Sequence, residues 1–277
     1  MKVGKVEVSR FILGGNPFSG FSHQSREMDV KMMHYFTAER IKATLREAEG
    51  LGITTVLARA DLHIIRVLME YWDEGGKLKW LAQTCPGVGP SRMCVEHAVN
   101  GGASGCHIHG GVMDHLVAQD QVEDAMDGVK AIHDAGLPAG VAGHNVRVFE
   151  WAEKHLDVDY YMCCYYNPTV RDDDPTHDAR KSERFDDEDR ARMVEMIGRL
   201  SKPVIHYKVL AAGRNDPSAG FDFAARHMRG GDAVCVGIYD EGRPGMLGED
   251  VRLFEKRCAA EGGCGTGRAK GHGCTKG

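Results

Sequence analysis

Strand-like and helix-like segments alternate without a break along this chain, and that alternation constrains the fold more than any other feature. Eight short apolar runs are each followed by a segment with apolar residues at helical spacing. Strict alternation predicts a parallel sheet, and eight units in about this length predict a closed (β/α)8 TIM barrel of the α/β class. The alternative is an open doubly wound sheet, which would carry a G-x-G-x-x-G loop after its first strand. The first strand leads instead to Gly14-Gly15-Asn16-Pro17, so we favour the barrel.

Apolar runs and glycine stops set the expected boundaries. The predicted strands are residues 10–15, 54–58, 78–84, 104–109, 138–142, 160–164, 203–208 and 233–237. We expect one barrel domain, residues 1–260, that begins with a small hairpin around Gly4, and a flexible tail rich in Gly, Lys and Cys at 261–277. Two polar segments, 16–36 and 167–186, are predicted to be long loops that cover the mouth of the barrel.

Composition excludes several classes of function. The formal net charge of −5 disfavours nucleic acid as a partner, and no apolar run has the length of a membrane span. The first residues have no apolar signal core, which predicts a cytoplasmic protein. The nine cysteines are scattered and odd in number, so we expect no disulfide framework. A small molecule is the expected partner.

Histidines end several of the predicted strands. His107 and His109 are two residues apart on one strand and therefore share a face; His144 and His206 end two others. The carboxyl ends of barrel strands carry the chemistry in this architecture, so we expect these side chains to meet there. The hypotheses are acid/base catalysis by histidine, or a divalent metal (Zn, Mn or Fe) held by His107, His109 and His144. A structural, hydrogen-bonded role is the alternative for any one histidine.

Further polar residues follow the same strand ends. The predicted catalytic set is His109, His107, Lys208, Asp61 and His206. The predicted substrate-binding set is Arg59, Asn16, Asn145, Tyr166, Asn167, Arg214 and Arg243. Arg214 and Arg243 lie in Gly-Arg loops after strands seven and eight, where barrels often bind phosphate. Simple ion pairs are the alternative: Arg59 with Asp61, and Lys208 with Asp61 or Asp240.

The order of these segments resembles the aldo-keto reductase family over residues 1 to about 258. Cys106-His107-Ile108-His109 resembles the strand that ends in that family's catalytic histidine, and Gly143-His144-Asn145 resembles its Ser-Asn cofactor contact. The resemblance implies a TIM barrel with a plug hairpin, and carbonyl reduction with NADPH through an Asp, a Tyr acid, a Lys and a His. His109 matches the histidine. The other three positions fall at Leu57, at Leu62 or His63, and at Gln83 or Thr84.

Three functional hypotheses follow. The first is an enzyme that acts on a small polar carbonyl- or sugar-like substrate by histidine-based, metal-assisted or metal-free acid/base chemistry, as a lyase, isomerase or hydrolase. The second is an NADPH-dependent reductase whose acid comes from elsewhere, such as His63 or Tyr166. The third is a non-catalytic barrel that binds a ligand.

Overall fold

A closed parallel barrel forms the centre of the molecule. The computed structural model describes residues 1–169, 171–174 and 183–262. Its strand order is β10-β3-β4-β5-β6-β7-β8-β9, with every neighbouring pair parallel. The barrel strands are β3 (Phe11–Gly14), β4 (Thr55–Arg59), β5 (Lys79–Gln83), β6 (Gly105–Ile108), β7 (Ala139–Gly143), β8 (Tyr160–Cys164), β9 (Val204–Tyr207) and β10 (Ala233–Gly237). The predicted fold is confirmed.

Helices surround the barrel. Within the described residues they are α1 (Arg26–Tyr35), α2 (Ala38–Gly50), α3 (Leu62–Asp73), α4 (Ser91–Asn100), α5 (Gly110–Gln119), α6 (Glu123–Asp134), α7 (Val146–His155), α8 (Asp187–Arg199), α9 (Pro217–His227) and α10 (Met246–Ala260). Side-chain caps fix several of their starts, because an oxygen or nitrogen accepts from a free backbone N–H of the first turn. Thr37 caps α2 in this way, and Asp61 caps α3.

Alternating residues divide the strands between two cores. One set fills the barrel and includes Ile12, Leu81, Tyr160 and Ile205, and the other packs between the barrel and the helices. Tyr160 fills so much of the interior that a Cβ at Gly140 would lie 2.5 Å from its ring. Glycine is therefore required where β7 passes this ring.

A small hairpin closes the amino-terminal end of the barrel. Its strands are β1 (Lys2–Val3) and β2 (Val6–Glu7), paired antiparallel about Gly4 at φ +51°. Val3 and Val8 are buried against the interior core. The hairpin places apolar side chains under the barrel, at the end opposite to the strand ends that carry the polar residues.

Two helices differ from the sequence expectation. The segment 16–36, predicted as a loop, contains a short 3₁₀ turn (Pro17–Ser19) and α1. Helix α1 buries Met32 alone, so its apolar periodicity is too weak to indicate a helix. Helix α5 starts directly after His109 with two glycines, and the predicted helix of this unit is α6. The predicted loop 167–186 is irregular where it is described; its residues 170 and 175–182, and most of the predicted tail, 263–277, lie outside the described residues.

None of the helices in the described part of the chain combines the length and the apolar character that crossing a membrane requires.

Candidate active site at the barrel mouth

Two adjoining cavities lie at the carboxyl ends of the strands. The larger has a volume of about 380 Å³ and the smaller about 230 Å³. Both are lined by Asn16, Phe21, His23, Gln83, Tyr207 and Lys208. Small-molecule sites are concave and are found at this face of barrels. The paired cavities are the candidate active site.

His109 stands at the wall of the smaller cavity and caps helix α5. Its Nδ1 accepts the backbone N–H of Gly111 at 3.1 Å, and its own backbone N–H donates to Thr84 Oγ1 at 2.9 Å. Burial and, next, the neighbouring His144 hold its pKa well below the usual value. The ring is therefore neutral, and because Nδ1 is an acceptor, its proton is on Nε2. His109 offers the cavity one N–H donor.

A hydrogen-bonded chain of three side chains lies beside His109. His144 Nδ1 is 2.7 Å from Asp114 Oδ2, and His144 Nε2 is 3.1 Å from the Tyr207 hydroxyl. Asp114 Oδ1 also accepts the backbone N–H groups of His144 and Asn145, which fixes the carboxylate. With the Nδ1 proton donated to Asp114, Nε2 accepts the hydrogen of Tyr207. This arrangement orients an imidazole between a carboxylate and a hydroxyl that lines both cavities.

Burial controls the proton affinities of this chain. It raises the pKa of Asp114 to about 6 and holds the pKa of His144 well below its usual value. It also raises the pKa of Tyr207, which stays protonated. Near neutral pH the chain is a carboxylate, a neutral imidazole and a neutral phenol. An incoming proton is shared by the Asp114–His144 pair as a unit.

Glycine at position 110 brings these groups together. A Cβ there would lie 3.0 Å from His144 Cε1 and 3.0 Å from the Tyr207 hydroxyl. Such contacts are tighter than normal packing allows, so Gly110 lets His109, His144 and Tyr207 surround one small space.

Three cations also line the smaller cavity: Arg59, Arg171 and Lys208. Arg59 Nε lies 3.4 Å from Asp61 Oδ2, and its guanidinium stacks 4.6 Å from the ring centre of Phe21. Lys208 Nζ lies 3.4 Å from His23 Nδ1, and the same His23 nitrogen lies 2.9 Å from Glu183 Oε1. Burial lowers the pKa of Lys208.

The larger cavity has an apolar wall and a strained loop. Ala211, Ala212 and Gly213 are consecutive residues with φ of +50°, +53° and +83°, and Lys208 precedes them at +55°. Left-handed alanines are rare and cost about 1–2 kcal/mol each, and strained backbone of this kind clusters at active sites and ligand-binding segments. Asp250 of α10 lines the same cavity; it is 3% exposed, and burial raises its pKa to about 6.

The three predicted metal ligands do not form one cluster, although His109 and His144 line the same cavity. His107 lies one repeat below His109 in the barrel interior, where its Nδ1 is 3.3 Å from the Tyr160 hydroxyl. The Asp114–His144–Tyr207 chain engages both nitrogens of His144. Across the described ranges no three His, Cys, Asp or Glu side chains are grouped so that they could hold a metal ion. A shared strand face is therefore not enough, because the rise of one strand repeat separates the two histidines.

His206 was expected at the mouth and instead faces away from the barrel interior. Its Nδ1 is 3.0 Å from the Tyr165 hydroxyl and its Nε2 is 3.3 Å from Asp232 Oδ2, in a buried cluster behind the strand. The expectation assumed that Lys208 and His206 share a strand face. Strand β9 ends at Tyr207, and the left-handed Lys208 breaks the alternation. Because Ile205 belongs to the interior core, alternation makes His206 the outward residue and Tyr207 the inward one.

The other predicted residues divide into two groups. Asn16, Arg59, Lys208 and Arg243 line one or both cavities. Those that line neither are Asp61, Asn145, Tyr166, Asn167 and Arg214.

Local contacts explain each exception. Asp61 and Asn145 cap α3 and α7. The Tyr166 hydroxyl accepts from Asn215 at 2.9 Å, the Asn167 N–H donates to Asp189 at 3.2 Å, and Arg214 donates to the carbonyl of His23 at 2.9 Å. These residues support the loops around the site.

Sequence reasoning did not select several residues that define the site. Asp114 lies in helix α5, which the sequence pattern did not predict. Tyr207 was passed over for its neighbours, and Arg171 and Asp250 had no distinguishing motif. The available signal was the alternation along this strand: with the apolar Ile205 inward, Tyr207 is inward and His206 outward.

Solved structures with this architecture come from several bacteria. A protein assigned to the aldo-keto reductases from Pseudomonas aeruginosa is 16% identical, with a TM-score of 0.63 over 93% of this chain and 94% of its own. An aldo-keto reductase from Bacillus halodurans, in its holo form, is 10% identical, with a TM-score of 0.58 over 95% and 94%. A 3-deoxy-D-arabino-heptulosonate 7-phosphate synthase from Thermotoga maritima, in truncated form, is 12% identical, with a TM-score of 0.50 over 94% and 89%.

The chain has the aldo-keto reductase fold. No protein-family model and no curated protein sequence matches it. The predicted lyase, isomerase or hydrolase is wrong: solved structures that share this barrel are named as aldo-keto reductases, which backs the alternative drawn from the resemblance better than the main prediction. The expectation of an enzyme agrees with these neighbours.

Proposed function

We propose that this protein is an oxidoreductase that interconverts a small alcohol and its carbonyl compound with a nicotinamide cofactor of the NADPH type. The observation that carries the proposal is the Asp114–His144–Tyr207 chain, which ends at the cavity wall next to the N–H donor of His109. A proton acceptor and an oxygen-binding donor beside one another suit a reacting C–O group. The neighbouring fold supports the same class of reaction.

The two cavities fit such a cofactor. The larger one offers an apolar wall for a flat ring system, and it adjoins the smaller one through Tyr207 and Lys208. Lys208 and Arg243 are cations that would hold phosphate groups, and the left-handed residues Ala212 and Gly213 line the same space. When bound, the nicotinamide ring would supply or accept the hydride.

The residues of the chain account for the proton. In alcohol oxidation the substrate hydroxyl gives its proton to the Tyr207 oxygen while the Tyr207 proton moves to His144 Nε2. Asp114 stabilises the imidazolium through its contact with Nδ1. His109 Nε2–H holds the substrate oxygen throughout. Carbonyl reduction follows the same steps in reverse.

In this proposal Tyr207 is the proton-donating acid, in place of His63 or Tyr166, the two residues suggested from the resemblance. His63 is exposed on α3, and the Tyr166 hydroxyl is occupied by Asn215; neither lines a cavity. Tyr207 provides the hydroxyl from a different strand.

Cofactor binding tests the proposal. We expect NADPH fluorescence to change on titration with the protein and to saturate at one cofactor per chain. Lys208→Met, which removes a cation shared by the two cavities, should weaken binding about 10-fold or more. Lys154→Met, in α7 away from both cavities, is the control. Absence of binding by both NADPH and NADH contradicts the proposal.

A further inference from the structure

Positively charged side chains line the smaller cavity. Its described lining contains Arg59, Arg171 and Lys208 and has no Asp or Glu side chain. Burial holds the pKa values of His109 and His144 low, so both are neutral and the positive charge comes from the arginines and the lysine. Three carboxylates lie nearby but outside the described lining. Asp61 contacts Arg59, Asp114 contacts His144, and Glu183 contacts His23.

The two guanidinium groups keep donors available. Asp61 contacts Nε of Arg59, and its other oxygen caps α3, so it holds the arginine from behind. Among the described residues nothing accepts a hydrogen bond from the terminal nitrogens of Arg59. A guanidinium that is held at Nε presents its two terminal N–H groups as a fork.

Arg171 is the most buried of the three cations. Its side chain is 3% exposed; one terminal nitrogen donates to the Thr169 carbonyl at 3.0 Å and lies 4.0 Å from Asp114 Oδ2. Within the described ranges no group accepts from its Nε or its second terminal nitrogen. Arg59, Arg171 and His109 line the same cavity, and both arginines contribute to the lowered pKa of His109.

In the part of the chain that the structure describes, Arg59 and Arg171 each have a single carboxylate within 4.0 Å, which contacts one of the three guanidinium nitrogens. Buried donors without an acceptor are costly, and an anion in the cavity would satisfy those that remain. Planar guanidinium forks match the two oxygens of a carboxylate. A volume of about 230 Å³ leaves room for such a group and a few carbon atoms.

We propose that the substrate is a small hydroxy acid or oxo acid whose carboxylate binds Arg59 and Arg171 while its hydroxyl or carbonyl faces His109 and Tyr207. This inference rests on the proposed function for the identity of the reacting group. It further specifies that the substrate carries a negative charge. Arg59 acts as a specificity-determining residue.

Binding of unreactive probes tests the charge requirement without any cofactor. Calorimetric titration should detect binding of succinate, and succinamide, the uncharged analogue of the same length, should show none. Arg59→Gln should weaken succinate binding roughly 10- to 100-fold, since it removes charge-assisted hydrogen bonds. Arg59→Lys keeps the charge and loses the fork, so its affinity for succinate should lie between those of the wild type and Arg59→Gln. Arg92→Gln, on the exposed face of α4, is the matched control.

The outcomes separate this inference from the proposed function. Equal binding of succinate and succinamide, or an unchanged affinity in Arg59→Gln with native thermal unfolding, overturns the inference. Tighter binding of inorganic phosphate than of succinate also overturns it, because the anionic group would then be a phosphate. NADPH-linked turnover of uncharged aldehydes alone would leave the proposed function intact and remove the inference. If succinate binding depends on Arg59 but the protein binds no nicotinamide cofactor, the anion site stands and the proposed function is contradicted.

Discussion

At the scale of single residues, the chemistry depends on a proton shared by Asp114 and His144. Burial raises the pKa of Asp114 to about 6, so the pair is in its proton-accepting form above that pH and in its proton-donating form below it. We therefore expect alcohol oxidation to accelerate as the pH rises through about 6 and carbonyl reduction to slow. The pH dependence of kcat in the two directions checks this. Asp114→Asn should abolish the pH dependence of kcat near pH 6 in both directions. A dependence that persists in the variant would assign it to another group.

Asp250 is a second buried carboxyl, and it predicts a change in stability. Its pKa of about 6 in the folded protein lies above the usual value of 3.8, because burial disfavours the charged form. The contribution of this carboxyl to the free energy of unfolding is therefore highest below about pH 4 and falls as the pH rises through 6. Asp250→Asn should therefore raise the free energy of unfolding by about 1–3 kcal/mol at pH 8 and leave it nearly unchanged at pH 4. Denaturant unfolding at both pH values measures the difference.

The exposed Asp127 in α6 provides the control for that measurement. Asp127→Asn should change the free energy of unfolding by less than about 0.5 kcal/mol at either pH. A loss of stability in Asp250→Asn at pH 8 would show that the charged carboxylate has a stabilising partner.

At the scale of elements, the first turn of α5 joins the strand that ends in Ile108 to the relay. Gly110→Ala would place a methyl group 3.0 Å from His144 Cε1 and from the Tyr207 hydroxyl, so the two rings must separate. We expect kcat to fall 10-fold or more with a small change in thermal stability. Gly198→Ala, in α8 where a Cβ meets nothing within 4 Å, is the control and should keep full turnover. Full activity in Gly110→Ala would contradict the relay geometry.

The elements also show why the sequence predicted some parts of the site and not others. Strands β8 and β10 were predicted to the residue, because apolar runs of that kind are bounded by turns. His109 and Lys208 were selected because both follow strands. Asp114 was not, because a helix that starts with two glycines and buries one face weakly gives little periodic signal. His206 was expected at the mouth because Lys208 was taken to share its face; no sequence pattern indicates that Lys208 is left-handed and breaks this alternation.

At the scale of the whole molecule, stability and chemistry are assigned to opposite ends of the barrel. The hairpin buries Val3 under the interior core, and the cavities lie at the other end of the strands. Val3→Ala should lower the free energy of unfolding by about 1–3 kcal/mol through lost burial and a cavity. Because the mouth is unchanged, NADPH affinity and turnover should stay at the wild-type level below the unfolding temperature. A parallel loss of turnover in the folded variant would show that the two ends are coupled.

Turnover by Tyr207→Phe tests the central claim most directly. The variant keeps the ring and removes only the hydroxyl that joins His144 to the cavity. The account predicts that NADPH-linked turnover of a small oxo acid falls about 100-fold or more while NADPH affinity is retained, because positioned acid/base groups contribute that much. Tyr71→Phe, whose hydroxyl contacts Glu49 and the backbone of the loop after α3, controls for the loss of a buried hydroxyl. Wild-type turnover in Tyr207→Phe would contradict the assignment of the Asp114–His144–Tyr207 chain as the proton relay.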